Sequence, residues 1–267
     1  MIYIVSLYDA ADRRLKIQRR LDALGVEFSF IDALNAKEHD HIQDLVDGKK
    51  VYGNIHRHMT DVEIACAFSH RQIYREILKK NLPGAVVLED DVIVGDGFAY
   101  VCQWFMEHGE LFRSRQVAVH LGVSSKKGMD ALLLNSGGVS LGTGARLLDV
   151  NQKFSEEAWG AYAYYISHDL ANAILGSEKI VTVADQWSVL TGGAGGAIKV
   201  LSPACCAHPE ISVHSTLEAG RAVAKFEYLK SIYKDPKHVL SWVYRKTILK
   251  YIIRPFLRRK HVIFRDL

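Results

Sequence analysis

The spacing of apolar positions changes several times along the chain. Ile2–Leu7 is a largely apolar, β-rich run. From Asp9 to Leu24 the apolar residues Leu15, Ile17, Leu21 and Leu24 fall at helical spacing, and Gly25 suits the residue just past a helix end. Val26–Ile31 reads as a second strand. A strand, a helix and a strand over this length predict parallel strands joined by a right-handed crossover. Residues 35–57 are polar, with Gly48 and Gly53 reading as breaks. The best-marked helix follows: Thr60-x-x-Glu63 is a capping box, and Val62, Cys66, Ser69, Ile73 and Ile77 continue at helical spacing.

Pro83-Gly84 closes that connection, and Ala85–Leu88 is a short apolar run of the kind found in strands buried on both faces. Further on, Val117–Val123, Leu132–Leu134, Tyr162–Ile166 and Ile180–Val183 read as strands. Ser167 is placed to cap a helix that ends at Leu175–Gly176. Leu141-Gly-Thr-Gly and Thr191-Gly-Gly-Ala-Gly-Gly lack the residues of a phosphate loop and predict turns or a flexible lid. The expectation is a single α/β domain over residues 1–224, with a mostly parallel central sheet flanked by helices, and a separate region at 225–267.

Composition adds little until it is divided along the chain. The 267 residues are 49% hydrophobic and 24% charged, ordinary for a folded domain, with a net charge of +4. Residues 225–267 hold twelve Lys/Arg against three Asp/Glu, net +9, leaving the first 224 residues at net −5. An acidic body argues against nucleic-acid binding. The run at Ile2 has no basic leader before it, and no window reaches the ~20 uncharged apolar residues of a membrane span. Cys66, Cys102, Cys205 and Cys206 are too few for a disulfide scaffold. Together these predict a soluble or peripheral protein of the cytoplasm.

Three places carry candidate chemistry. Glu89-Asp90-Asp91 ends a buried strand, where ligands of α/β sheets bind. If the chain stays extended there, Glu89 and Asp91 share one side and Asp90 takes the other. Their oxygens suit Mn²⁺ or Mg²⁺ held together with a diphosphate, and a polar strand end before a turn fits equally well. Asp185 follows another predicted strand, as a general base or as a helix N-cap. His208 and His214 are either late-chain metal ligands or solvated loop residues. Arg13-Arg14 suits phosphates or a solvated helix face. No common hydrolase signature occurs.

The order of these motifs is more specific than any one of them. Asp-Val-Glu-Ile-Ala-Cys-Ala-Phe-Ser-His (Asp61–His70), then Val-Val-Leu-Glu-Asp-Asp-Val (Val86–Val92), resembles glycosyltransferase family 25, the lipooligosaccharide galactosyltransferases and their relatives. Ile-Val-Ser-Leu at the start, Phe30–Ala33, Gly160–Ser167 and Asp185 follow in the family's order. Tyr8-Asp9 stand where the family often has Asp-Arg, and Val62 and Ala65 replace two glycines of its pattern.

The resemblance implies a GT-A-like fold, a UDP-hexose donor such as UDP-galactose, a lipid-linked oligosaccharide acceptor, and Mn²⁺ or Mg²⁺. It puts Glu89 and Asp91 on the metal and donor diphosphate with Asp90 beside them, and Leu7, Arg13 and Asp32 around the nucleotide. It implies an inverting displacement with a carboxylate base, for which Asp185 is the candidate, and His208 or His214 is the candidate for a further metal or diphosphate contact. Glu63, Ser69 and His70 fall near the acceptor side or serve the helix. A nucleotidyl- or phosphotransferase and a catalytically silent membrane adaptor remain the alternatives. In the basic region, Trp242, Ile248, Tyr251, Ile252 and Phe256 interleave with Lys and Arg. That pattern suits an amphipathic helix on an anionic membrane surface, on the cytoplasmic face of the inner membrane. The alternative is packing on the body or on a second copy in a homodimer; a lipid-linked acceptor presented at the membrane favours the surface reading.

Overall fold

The computed structural model describes residues 1–123, 133–142, 144–150, 155–156, 158–192 and 196–208; side chains at 123 and 133–137 are outside the description. His214 and the basic region 225–267 lie outside the described residues.

The first unit is β1 (Ile2–Ser6), α1 (Ala11–Ala23) and β2 (Ser29–Asp32), with β1 and β2 parallel. Gly25 takes φ +67, the left-handed conformation that lets the chain turn off α1 into β2. Two 3-10 turns, Ala36–Glu38 and Ile42–Leu45, lead to α2 (Gly48–Ile55) and α3 (Asp61–Lys79). Helix α2 corrects the reading of Gly48 and Gly53 as breaks. The Asp47 side chain caps the Lys50 amide, and Val51 and Ile55, four apart, are buried. The capping box at Thr60 and Glu63 forms as expected.

Next come β3 (Gly84–Glu89), β4 (Ile93–Val94), α4 (Phe98–His108), the 3-10 turn Gly109–Leu111, β5 (Val117–His120) and β6 (Gly122–Val123). Helix α4 was not anticipated, although Phe98, Val101, Cys102 and Phe105 bury one face at helical spacing. The chain continues through β7 (Leu133–Ser140), β8 (Arg146–Val150), β9 (Ala163–Ser167), α5 (His168–Leu175), α6 (Trp187–Leu190), β10 (Ala197–Ser202) and β11 (Cys206–Ala207). Ser167 caps α5 through the Leu170 amide, and Gly176 ends it. Residues 180–183 do not form the expected strand: Ile180 makes a single parallel bridge to Val46.

The main sheet runs β2-β1-β3-β9-β5-β10-β8-β7. It is mixed rather than mostly parallel in its pairing. β9 lies antiparallel between β3 and β5, and β8 antiparallel between β10 and β7. The other six strands point the same way. Period-two alternation sends Tyr3, Val5, Ala85, Val87, Tyr164 and Ile166 into a core with α2, α3 and α5. It sends Ile2, Ile4, Val86, Leu88, Ala163 and Tyr165 into a second core with α1 and α4. Helices therefore cover both faces of the sheet, so its ends are where open, polar surface is left.

Candidate active site

The carboxyl ends of β1, β3 and β5 lie together with the beginning of β9, because β9 runs against its neighbours. Strand β3 ends at Glu89, and the chain turns through Asp90 and Asp91 into β4. A small sheet, β4-β11-β6, folds over this edge. Ala207 pairs with Ile93 and Cys206 with Val94, so the next residue of that register, His208, falls opposite Val92 and beside Asp91.

Glu89, Asp91 and His208 consequently offer one ligand atom each within 4.8 Å of one another. The Asp91 Oδ1 atom is buried and makes no hydrogen bond among the described residues. Burial pushes the Asp91 carboxyl above the usual range, the Glu89 charge adds to this, and His208 works the other way. Two crowded carboxylates, one of them with an orphaned buried oxygen, and an imidazole form a donor set that fits a hard divalent cation.

Asp90 turns the other way. Its Oδ2 accepts the Ser6 hydroxyl at 2.6 Å, and its Oδ1 lies 3.4 Å from Arg13 Nη1. Burial raises its carboxyl, and the Ser6 and Arg13 contacts oppose that. Asp90 thus ties the end of β1 to the end of β3, and the half-exposed Arg13 guanidinium stands beside the carboxylate turn. Arg14 holds the adjacent loop. It donates to the Ser6 and Leu7 carbonyls, pairs with Asp32 and lies over the Phe30 ring. Asp32 and the Leu7 backbone are therefore fixed on the same rim, outside the carboxylate–histidine cluster.

Helix α3 supplies His70. Its Nδ1 lies 2.7 Å from the Tyr164 hydroxyl, which in turn lies 2.9 Å from that of Tyr74. Its Nε2 faces Glu89 Oε1 at 3.6 Å. The other two α3 candidates serve the helix. Ser69 donates to the Ala65 carbonyl and accepts from the Leu34 amide. Glu63 completes the capping box and takes two hydrogen bonds from Arg57. Burial alone would raise the Glu63 carboxyl, but the Arg57 and Thr60 hydrogen bonds outweigh it and hold it low.

Asp185 lies in the turn before α6 and belongs to neither of the ligand clusters found among the described residues. It is not the helix cap; Gln186 holds that position and bonds to the Asn54 carbonyl. The following Trp187 is fully buried. Its indole donates to the Gly160 carbonyl and packs on Tyr164 and His120. Ser6, Cys66, Tyr164 and Trp187 were not anticipated as site residues. A serine ending an otherwise apolar strand, and Cys66 and His70 four apart on a helix, were the available signals.

A helix-covered α/β sheet with carboxylates and a histidine gathered beyond its strand ends is the organisation of an enzyme that binds its ligand at those ends. Comparison with known proteins names the class. Residues 1–187 match the model of glycosyltransferase family 25 (LPS biosynthesis protein), and the chain belongs to that family. It is 26% identical to the lipooligosaccharide biosynthesis protein lic2B of Haemophilus influenzae, over 95% of this chain and 98% of that protein. It is 35% identical over 97 residues to the lacto-N-neotetraose biosynthesis glycosyltransferase LgtB of Neisseria meningitidis serogroup A, covering 36% of this chain and 33% of LgtB. A 98-residue match at 31% identity links it to procollagen galactosyltransferase 1-A of Xenopus laevis, covering 34% of this chain and 16% of that protein. The chain is therefore a glycosyltransferase of family 25.

Proposed function

We propose that this enzyme transfers a hexose, galactose from UDP-galactose, to a lipooligosaccharide or LPS core acceptor with inversion, on a GT-A-like domain spanning residues 1–224. The observation that carries the reading is the Glu89–Asp91–His208 set with its orphaned Asp91 oxygen. Its relation to a procollagen galactosyltransferase supports galactose, and its relation to lic2B supports the acceptor class.

Glu89, Asp91 and His208 would hold Mn²⁺ or Mg²⁺. Such a cation, when bound, supplies positive charge to the oxygens of a departing diphosphate. Arg13, half-exposed beside Asp90, offers a guanidinium to the same phosphates. Asp90 and Ser6 keep the two strand ends together under it. In the displacement, the acceptor oxygen bonds to the anomeric carbon, the bond to the diphosphate breaks, and Asp185 takes the acceptor's proton. The family assignment selects sugar transfer over the nucleotidyl- or phosphotransferase alternative.

The test is mass spectrometry of products across UDP-, GDP- and CMP-sugars, with and without Mn²⁺. UDP plus a galactosylated acceptor is expected. Asp91→Asn should lower turnover about 100-fold or more, since the charge stabilisation at stake is several kcal/mol. Asp185→Ala should bind donor normally and lose transfer. Pyrophosphate release, or full activity in Asp91→Asn, would overturn the reading.

A further inference from the structure

Glu89 belongs to two donor sets. On one side it meets Asp91 and His208. On the other it meets α3, where the ligand atoms of Cys66, His70 and Glu89 also lie within 4.8 Å of one another. Cys66 and His70 are four residues apart, one helical turn, and so stand on the same face. The His70 ring is anchored through Nδ1 to the Tyr164 hydroxyl. Its Nε2 is buried, makes no hydrogen bond among the described residues, and points at the Glu89 carboxylate 3.6 Å away. An imidazole held at one nitrogen with the other aimed at a ligand position is the arrangement of metal-binding histidines.

The two sets differ in chemistry. Two carboxylates and one imidazole favour Mn²⁺ or Mg²⁺. A thiolate, an imidazole and a carboxylate favour Zn²⁺. We propose that Cys66, His70 and Glu89 form a site for a thiophilic divalent cation of the zinc type, and that filling it inhibits transfer by withdrawing Glu89 from Asp91 and His208. On binding, the Cys66 thiol gives its proton to solvent. The thiolate sulfur, the His70 Nε2 lone pair and a Glu89 oxygen become ligands, and a three-residue zinc site keeps a fourth position for water. The inhibitory half rests on the reading of Glu89 as a ligand in transfer; the binding half does not.

The experiment titrates the full chain with Co²⁺ as a spectroscopic stand-in for Zn²⁺. A thiolate-to-cobalt charge-transfer band in the near ultraviolet is expected. Zn²⁺ should displace it, Cys66→Ser and Cys66→Ala should abolish it, and Asp91→Asn should retain it. In Mn²⁺-supplemented transfer assays, Cys66→Ser should need at least tenfold more Zn²⁺ for half-inhibition than the wild type. Absence of the band, or a band that survives both Cys66 variants and so belongs to Cys102, Cys205 or Cys206, overturns the site. A band that behaves as expected while Zn²⁺ leaves transfer unchanged overturns the inhibition alone. A normal band in a chain without transferase activity keeps the site and fails the functional reading.

Discussion

Among single residues, His120 is the buried group whose protonation the fold most clearly resists. It ends β5, its Nε2 makes no hydrogen bond among the described residues, and its ring packs edge-on against Trp187. Burial pushes its pKa down from 6.5 to about 4. The unfolded chain therefore takes up a proton below pH 6.5 that the folded chain refuses. The sign follows: this residue's contribution is intact above pH 6.5 and is lost as pH falls toward 4. Between pH 7 and pH 5 it should remove about 2 kcal/mol of stability. His120→Phe keeps the ring and has no proton to accept. Urea unfolding at the two pH values should show the variant losing about 2 kcal/mol less than the wild type. Equal losses would place the acid sensitivity elsewhere.

At the level of elements, the cation set depends on a sheet of three very short strands. Gly122 in β6 lies against β11, and a Cβ there would come within 2.5 Å of the Tyr162 ring and 2.8 Å of the Cys206 carbonyl. Gly122→Ala must push β11 away, and His208 directly follows β11. The variant should lose about 1–3 kcal/mol of stability to overpacking. It should also bind Mn²⁺ at least tenfold more weakly, measured by metal titration of the folded protein; unchanged affinity would separate His208 from the set. This dependence was hidden in the sequence. The carboxylates at 89–91 were legible because they end an apolar run, and the α3 cap because its residues are local. His208 was a candidate among twelve histidines, singled out for its late position, and only the long-range pairing of Ala207 with Ile93 brings it to Asp91. Strand direction was illegible for the same reason. Residues buried on both faces of a sheet look alike whichever way the strand runs, so the antiparallel insertion of β9 left no local mark. Helix α2 was missed because its two glycines face open space, where a helix tolerates them at a cost of only ~1 kcal/mol each.

For the whole molecule, the organising feature is the division of charge. The first 224 residues carry net −5 and contain the carboxylate cluster; residues 225–267 carry net +9. Among the described residues no helix is long and apolar enough to cross a membrane. We propose that the basic region meets the surface on which a lipid-linked acceptor is carried, its bases drawn to anionic headgroups and its Trp242, Tyr251 and Phe256 rings to the interface. The attraction is worth about 1 kcal/mol per base near an anionic surface. The full chain should co-sediment with vesicles of phosphatidylglycerol and not with zwitterionic phosphatidylcholine. Raising salt to about 1 M, where the screening length falls to ~3 Å, should release it. Reversing three charges with Arg258→Glu, Arg259→Glu and Lys260→Glu should weaken vesicle binding by about a hundredfold or more, at roughly 1 kcal/mol for each base lost. Transfer to a short soluble acceptor should not change in that variant, because its substitutions lie far in sequence from the strand ends that carry the cluster, whereas transfer to acceptor held in anionic vesicles should fall. A variant that still binds those vesicles as the wild type does would assign the basic region to the body or to a second copy of the chain, and an oligomeric state altered by the same three substitutions would identify the second copy.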